Sequence, residues 1–351
     1  MSKTVAVLSL ADGTKFTGFS FGAELSVRGE VVFNTSMTGW PELLSDPGLR
    51  GQILVLTYPL IGNYGVPPRD TEGGLMLNFE SEEVQIAGLV VTDYSEEFSH
   101  WNAAGSLAEW LRGSGVPAIF GVDTRELAKH LRERGELEGA IEIEGAAVKP
   151  ASANRIADVS IARAATYGEG DVTVALLDTG VRHNVIRSLV RRGVKVLRLP
   201  WDADIAAHEW DGLVLVDAPD DPSPVAGSVA RALAKGRPVL GVGGGDKLLA
   251  LAAGGAIRKL EHSHRGANQP VIEAGTSRAQ ITVQNRSWTV DAASLPEGWS
   301  VWFENLNDGS VEGIRHEALP FRAVAWHPEA TNRPEEADRI YDEFIETIRR
   351  K

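Results

Sequence analysis

Pro238-Val239-Leu240-Gly241-Val242-Gly243-Gly244-Gly245-Asp246-Lys247-Leu248-Leu249-Ala250-Leu251 decides the fold. A short apolar run, a break of three glycines and helical spacing from Lys247 to Ala253 read as a buried strand, a sharp elbow and a helix. Outward from it, buried-type strands at Val172 to Leu177, Val194 to Leu197 and Gly212 to Val216 alternate with helical segments at Asn184 to Arg192 and Val225 to Lys235. Strand and helix in strict turn predict an α/β unit with a parallel, doubly wound sheet.

The first 145 residues read differently. Thr4 to Phe21 alternates around Asp12-Gly13, which predicts a β-hairpin with a type I′ turn. Strands follow at Val31 to Phe33 and Ile53 to Tyr58, and helices at Ala104 to Arg112 and Arg125 to Arg134, the latter capped by Asp123-Thr124. The Ala, Ser and Lys-rich segment from Gly145 to Ser160 lacks periodicity. The expected organisation is a β-rich domain over residues 1–150, a linker over 151–170 and the α/β domain over 171–351. The tail should pass through Val301 and Val324-Ala325-Trp326 into an amphipathic helix from Pro334 to Arg350.

Composition excludes several classes of function. All 351 residues contain no cysteine, which removes disulfides, thiolate metal sites and every cysteine nucleophile. A net charge of -13 opposes broad attraction to nucleic acid or an anionic membrane. The local cluster Arg187, Arg191, Arg192 and Lys195 fits a solvated helix face. No apolar run reaches the roughly 20 residues that span a bilayer, and the first ten residues lack a secretory core. A cytoplasmic location is the expectation.

Motifs at family spacing run through both halves. They are Gly29-Glu30-Val31-Val32-Phe33-Asn34-Thr35-Ser36-Met37-Thr38-Gly39-Trp40, Thr57-Tyr58-Pro59-Leu60-Ile61-Gly62-Asn63-Tyr64-Gly65-Val66 and Gly121-Val122-Asp123-Thr124-Arg125 in the first. In the second are Asp178-Thr179-Gly180 with Asn184, His264-Arg265-Gly266 with Asn268, Asn305 to His316, and His327-Pro328-Glu329-Ala330. In this order the chain resembles the carbamoyl-phosphate synthetase small subunit. The resemblance implies a β-rich N-terminal domain and a class I glutamine amidotransferase domain, working in pyrimidine or arginine biosynthesis. In that family the small subunit hydrolyses glutamine and passes ammonia to a large subunit that uses ATP and bicarbonate.

The resemblance also implies a cysteine nucleophile at the elbow, in Gly-Ile-Cys-Leu-Gly-His-Gln. Here Gly243 stands in its place, Asp246 replaces the histidine and Lys247 the glutamine. Losing such a nucleophile costs on the order of 10⁶ in rate where a full triad operates. The family's Ser-Asn-Gly-Pro-Gly-Asp-Pro loop reads Val216-Asp217-Ala218-Pro219-Asp220-Asp221-Pro222, so Asp220 sets a carboxylate where an oxyanion would develop. Val283-Gln284-Asn285-Arg286-Ser287-Trp288 keeps Asn285 and an aromatic, Trp288, but loses a glycine, and Gly48 takes the place of a glutamine-holding serine. Ala218, Asp220, Lys247, Asn285 and Trp288 thus mark a degenerate glutamine pocket, while His327 and Glu329 remain as a base and its orienting carboxylate.

Other readings compete. Gly241 to Gly245 fits neither a Walker loop nor the dinucleotide pattern, because Lys247 precedes Leu248 and Asp246 occupies the last glycine. Asp246 and Lys247 could instead pair with Arg286 or Asp220 and fill the vacated pocket. His262 and His264 beside Glu261 suggest a metal only weakly, since His264 belongs to a non-metal motif of the family; no metal and no cofactor are expected. The leading expectation is a pseudo-glutaminase that docks on a large synthetase subunit using free ammonia. Alternatives are a scaffold or regulator with another partner, and a new enzyme built from His327, Glu329, Asp246 and Lys247.

Overall fold

The computed structural model describes residues 4–330 and 338–350. It divides into two compact units, one ending at Arg155 and the other beginning at Ile156.

The first unit is β-rich. Its main sheet orders the strands Ala147–Val148, Leu25–Asn34, Ile53–Ile61, Gly88–Tyr94, Ala118–Phe120, Lys15–Ser20, Val5–Leu10 and Leu137–Ile143. A further pairing of Leu137–Ile143 with Leu25–Asn34 brings the last strand back onto the second. Four neighbours, from Leu25–Asn34 to Ala118–Phe120, run parallel. Continuous apolar runs such as Ile53-Leu54-Val55-Leu56 suit strands buried on both faces. Leu54 and Leu56 join Trp40, Leu44 and Leu111 on one side, while Ile53 and Val55 join Leu127 and Leu131 on the other.

The hairpin Val5–Leu10 with Lys15–Ser20 forms as expected, but its turn differs. Only Gly13 has positive φ, at 89°, and the Leu10 amide donates to Thr14 O, so this is not the two-residue type I′ turn. An aspartate gains nothing from the left-handed region when its side chain can accept the Thr14 amide from an ordinary conformation, as Asp12 does at 3.0 Å. The helix expected from Ala104 starts at Leu107, because Ser106 and Glu109 form a reciprocal capping box that fixes its first turn. Asp123 caps Thr124–Arg134 by accepting from the Arg125 and Glu126 amides.

The second unit is a ten-stranded α/β sheet. Its parallel centre is Lys195–Pro200, Thr173–Asp178, Gly212–Leu215, Val239–Gly241 and Phe321–Val324. Helices Ser223–Leu233 and Gly245–Ala253 bury Val225, Val229, Leu248 and Leu249 against it. Beyond Phe321–Val324 the sheet turns antiparallel through Val311–His316, Trp299–Asn305, Ile257–Glu273 and Ala279–Val290. The antiparallel strands interrupt the alternation of strand and helix after Ala253, and Phe321–Val324 followed by the helix Arg339–Arg349 resumes it, in keeping with the α/β reading.

The C-terminal helix is Arg339–Arg349; the expected start at Pro334 lies outside the described residues. It is bracketed by Arg192, which is not a merely solvated cation: Nε is 2.7 Å from Asp342, Nη2 is 3.2 Å from Asp338, and the guanidinium lies over Tyr341. No helix among the described residues is long and apolar enough to cross a membrane.

Candidate functional site

The elbow lies at the carboxyl ends of Gly212–Leu215 and Val239–Gly241, where open α/β sheets form their binding crevices. The Val242 amide donates to Leu215 O and the Gly243 amide to Trp326 O at 2.8 Å, which ties the turn to two neighbouring strands. Gly243 has φ +55°, a left-handed conformation that side-chain-bearing residues adopt at a cost. A β-carbon there would stand 2.5 Å from His327 Cε1, so the imidazole occupies the space a nucleophile would need. At Gly244, a β-carbon would collide with the Asp217 carboxylate. The turn is thus packed with the His327 ring and the Asp217 carboxylate standing where side chains on Gly243 and Gly244 would begin.

His327 is buried and keeps the orienting carboxylate expected of it. Its Nδ1 is 3.0 Å from Glu329 Oε1, the Tyr341 hydroxyl donates to Glu329 Oε2 at 3.3 Å, and Arg182 Nη1 lies 3.7 Å from Oε1. Burial works against ionising Glu329, but the attraction of His327 and Arg182 prevails and holds its carboxyl below the usual range. Arg182 and Tyr341 were not identified from the sequence. Tyr341 is one apolar position of an amphipathic helix until the fold turns it toward Glu329.

Asp246 and Lys247 are both buried at the start of the Gly245–Ala253 helix. Asp246 Oδ1 accepts the Lys247 amide at 2.6 Å, whereas Oδ2 is buried with no hydrogen-bond partner among the described residues. Desolvation raises its pKa against the opposing pull of Lys247 and Arg286. The helix start that could have cradled a phosphate thus holds the chain's own carboxyl group. Lys247 Nζ lies 3.7 Å from Asp217 Oδ1, so its ion-pair partner is Asp217 and not Asp220. It does not point into solvent. Asp217 also accepts the Ala218 amide at 3.0 Å, which folds this loop onto itself. Asp220 is part-buried on that loop.

The remaining expected pocket residues serve a different framework. The Asn285 side chain accepts from Arg265, and Trp288 is 44% exposed on Ala279–Val290. Arg286 turns inward instead: Nη2 is 3.0 Å from Glu312 Oε1 and Nε donates to Gln284 Oε1 at 3.0 Å. Glu312 also accepts from Asn305 at 2.6 Å and Gln284 at 2.7 Å, and His264 Nδ1 lies 3.2 Å from it. His264 Nε2 reaches Asp308 at 2.9 Å. His264, Asn305 and Glu312 are therefore buried members of one hydrogen-bonded network that joins the antiparallel strands and reaches the exposed Asp308 at its edge. Desolvation opposes the charge on Glu312, yet Arg286, His264 and Asn305 hold its pKa below the usual value.

Comparison with known proteins agrees with both units. Residues 8–141 match the family "Carbamoyl-phosphate synthase small chain, CPSase domain", and residues 175–347 match "Glutamine amidotransferase class-I". The "Carbamoyl-phosphate synthase [ammonia], mitochondrial" of Aquarana catesbeiana is 44% identical over 359 residues, covering 98% of this chain and 24% of that protein. Its Homo sapiens counterpart is 42% identical over 356 residues, with 98% and 24% covered. "Multifunctional protein pyr-3" of Neurospora crassa is 40% identical over 384 residues, with 97% and 21% covered. The chain spans about a quarter of the length of these relatives. On these matches and on the architecture of its two units, the chain belongs to the carbamoyl-phosphate synthase small-chain family, with a class I glutamine amidotransferase domain as its second unit.

Proposed function

We propose that this chain is the small-chain component of a carbamoyl-phosphate synthase that takes its nitrogen from free ammonia, and that its amidotransferase unit does not hydrolyse glutamine. The observation that carries the reading is Gly243 under the His327 ring. Glutamine hydrolysis of this type needs a nucleophile to form the acyl intermediate, and a base with nothing to activate cannot supply it. Asp217 over Gly244 and the Lys247 ion pair occupy space beside the elbow and compete with a substrate carboxylate. Two of the relatives carry ammonia in their names, which fits a synthase without a glutaminase.

The unit's remaining role is to hold the synthetase portion in its working form. The test is carbamoyl phosphate formation by the complex of this chain with its synthetase chain, ATP and bicarbonate, supplied with either ammonium or glutamine. Product from ammonium and none from glutamine supports the reading. Glutamate release from glutamine at a rate comparable to turnover overturns it.

A further inference from the structure

The second unit has a cavity that neither the elbow nor the network around Glu312 uses. It holds about 630 Å³. The edge strand Ala279–Val290 and the turn before it supply Arg278, Gln280 and Ile281 to its wall. The strand Trp299–Asn305 supplies Phe303, and the helix Arg339–Arg349 supplies Arg339. A bare ion would leave most of this volume empty, whereas a small organic molecule fits it.

The polar side chains in this wall are donors without acceptors. Gln280 Nε2 and Arg339 Nε are both shielded from water, and neither has a hydrogen-bond partner among the described residues. A donor stranded in this way costs about 1–3 kcal/mol. Arg339 also has no ion-pair partner among the described residues, and the carboxylates around it are engaged elsewhere. Asp338 and Asp342 face Arg192 at 3.2 and 2.7 Å. Glu273 accepts from Trp302 at 3.1 Å and lies 3.9 Å from Arg278. Arg339 moreover opens its helix, where the positive end of the helix dipole opposes a cation and favours an anion.

We infer that this cavity is a binding site for a small organic carboxylate with an apolar body. One uncommitted guanidinium calls for one negative charge, and its planar fork matches the two oxygens of a carboxylate. The Gln280 amide is a further donor to the same group. Phe303 is buried and Ile281 is 43% exposed, and together they form the apolar wall that an aliphatic or aromatic body would cover. Arg339 lies two residues before Tyr341, whose hydroxyl donates to Glu329, so an occupied site would hold the helix start that supports the His327 pair.

The experiment uses the full chain and benzoate as the probe, with saturation-transfer NMR reading the affinity and benzamide as the uncharged isostere. Arg339→Gln removes the cation, and Gln280→Glu sets a like charge in the same wall. Arg350→Gln makes the same charge change at the exposed far end of the helix, where Arg350 pairs only with Glu346 among the described residues. Circular dichroism establishes that each variant is folded. The expected result is saturable binding of benzoate at millimolar concentration, weaker by about tenfold or more for benzamide and for each cavity variant, and within about twofold of wild type for Arg350→Gln. No benzoate binding by the wild type, equal binding of benzamide, or wild-type affinity in both cavity variants overturns the site. Phenyl phosphate binding much more tightly than benzoate overturns the carboxylate assignment in favour of a phosphate.

Discussion

His327 Cε1 lies 2.5 Å from the position a β-carbon on Gly243 would occupy. The ring of the expected base stands where a side chain on Gly243 would begin, so the proposed lack of glutaminase activity and the packing of the elbow would share one structural cause. In this arrangement the glycine also relieves the left-handed strain that a side-chain-bearing elbow residue carries.

Restoring the missing residue alone should therefore fail. Gly243→Cys is expected to show no glutaminase activity above the wild type. It should lose about 1–2 kcal/mol from the φ of +55° alone, with a further cost for displacing the imidazole. Urea unfolding and a glutamate-release assay check both parts; robust hydrolysis would show that His327 can swing aside cheaply.

Glu329→Gln should destabilise the second unit by about 2–4 kcal/mol at neutral pH, since it breaks a buried pairing with His327 and Arg182. The folded-state pKa of Glu329 is depressed, so its stabilisation is present above the ordinary value of 4.5 and fades as pH falls through the folded pKa. The gap between wild type and variant should narrow in acid. A gap independent of pH would mean that shape, and not charge, is what Glu329 supplies.

Asp246 has the opposite sign. Its folded pKa is raised by burial, so its contribution is most favourable below the ordinary 3.8 and is lost as pH rises through the folded value. Asp246→Asn keeps the acceptor for the Lys247 amide and should be more stable than wild type near pH 7, with the advantage vanishing toward pH 3. Unfolding midpoints across that range test it. A less stable variant at neutral pH would show that the attraction to Lys247 and Arg286 outweighs desolvation.

Arg286 and Glu312 should behave as a coupled pair. Arg286→Met and Glu312→Gln are each expected to cost about 3 kcal/mol, because each strands a buried charge, and the double variant should cost clearly less than their sum. A double-mutant cycle by chemical unfolding measures this, and additive losses would refute a direct pair.

Much of the candidate site was legible in the sequence. The strand, glycine break and helix around Gly243 are local patterns, and His327 with Glu329 lies in a short motif. Other parts were not. Asp217 was read only as a position in a loop, and its pairing with Lys247 requires the two strands ending at Leu215 and Gly241 to lie side by side. Trp288, expected in the pocket, is half exposed, whereas its neighbour Arg286 enters the core. Two residues apart, they would share one face of an unbroken strand, and the irregularity between Lys259 and His264 on the paired strand is what separates them.

The sequence by itself determined that no cysteine chemistry is possible, that the second unit has an α/β centre and that an elbow without a nucleophile joins one strand to one helix. Those follow from residue identity and from periodicity within a few turns of chain. Only the tertiary structure decided that His327 fills the vacant position, that Asp246 is buried with one oxygen unpartnered, and that His264, Asn305, Asp308 and Glu312 close a network with Arg286. These contacts join residues far apart in sequence. Sheet order and register create them, and they were not legible in any local stretch of the chain.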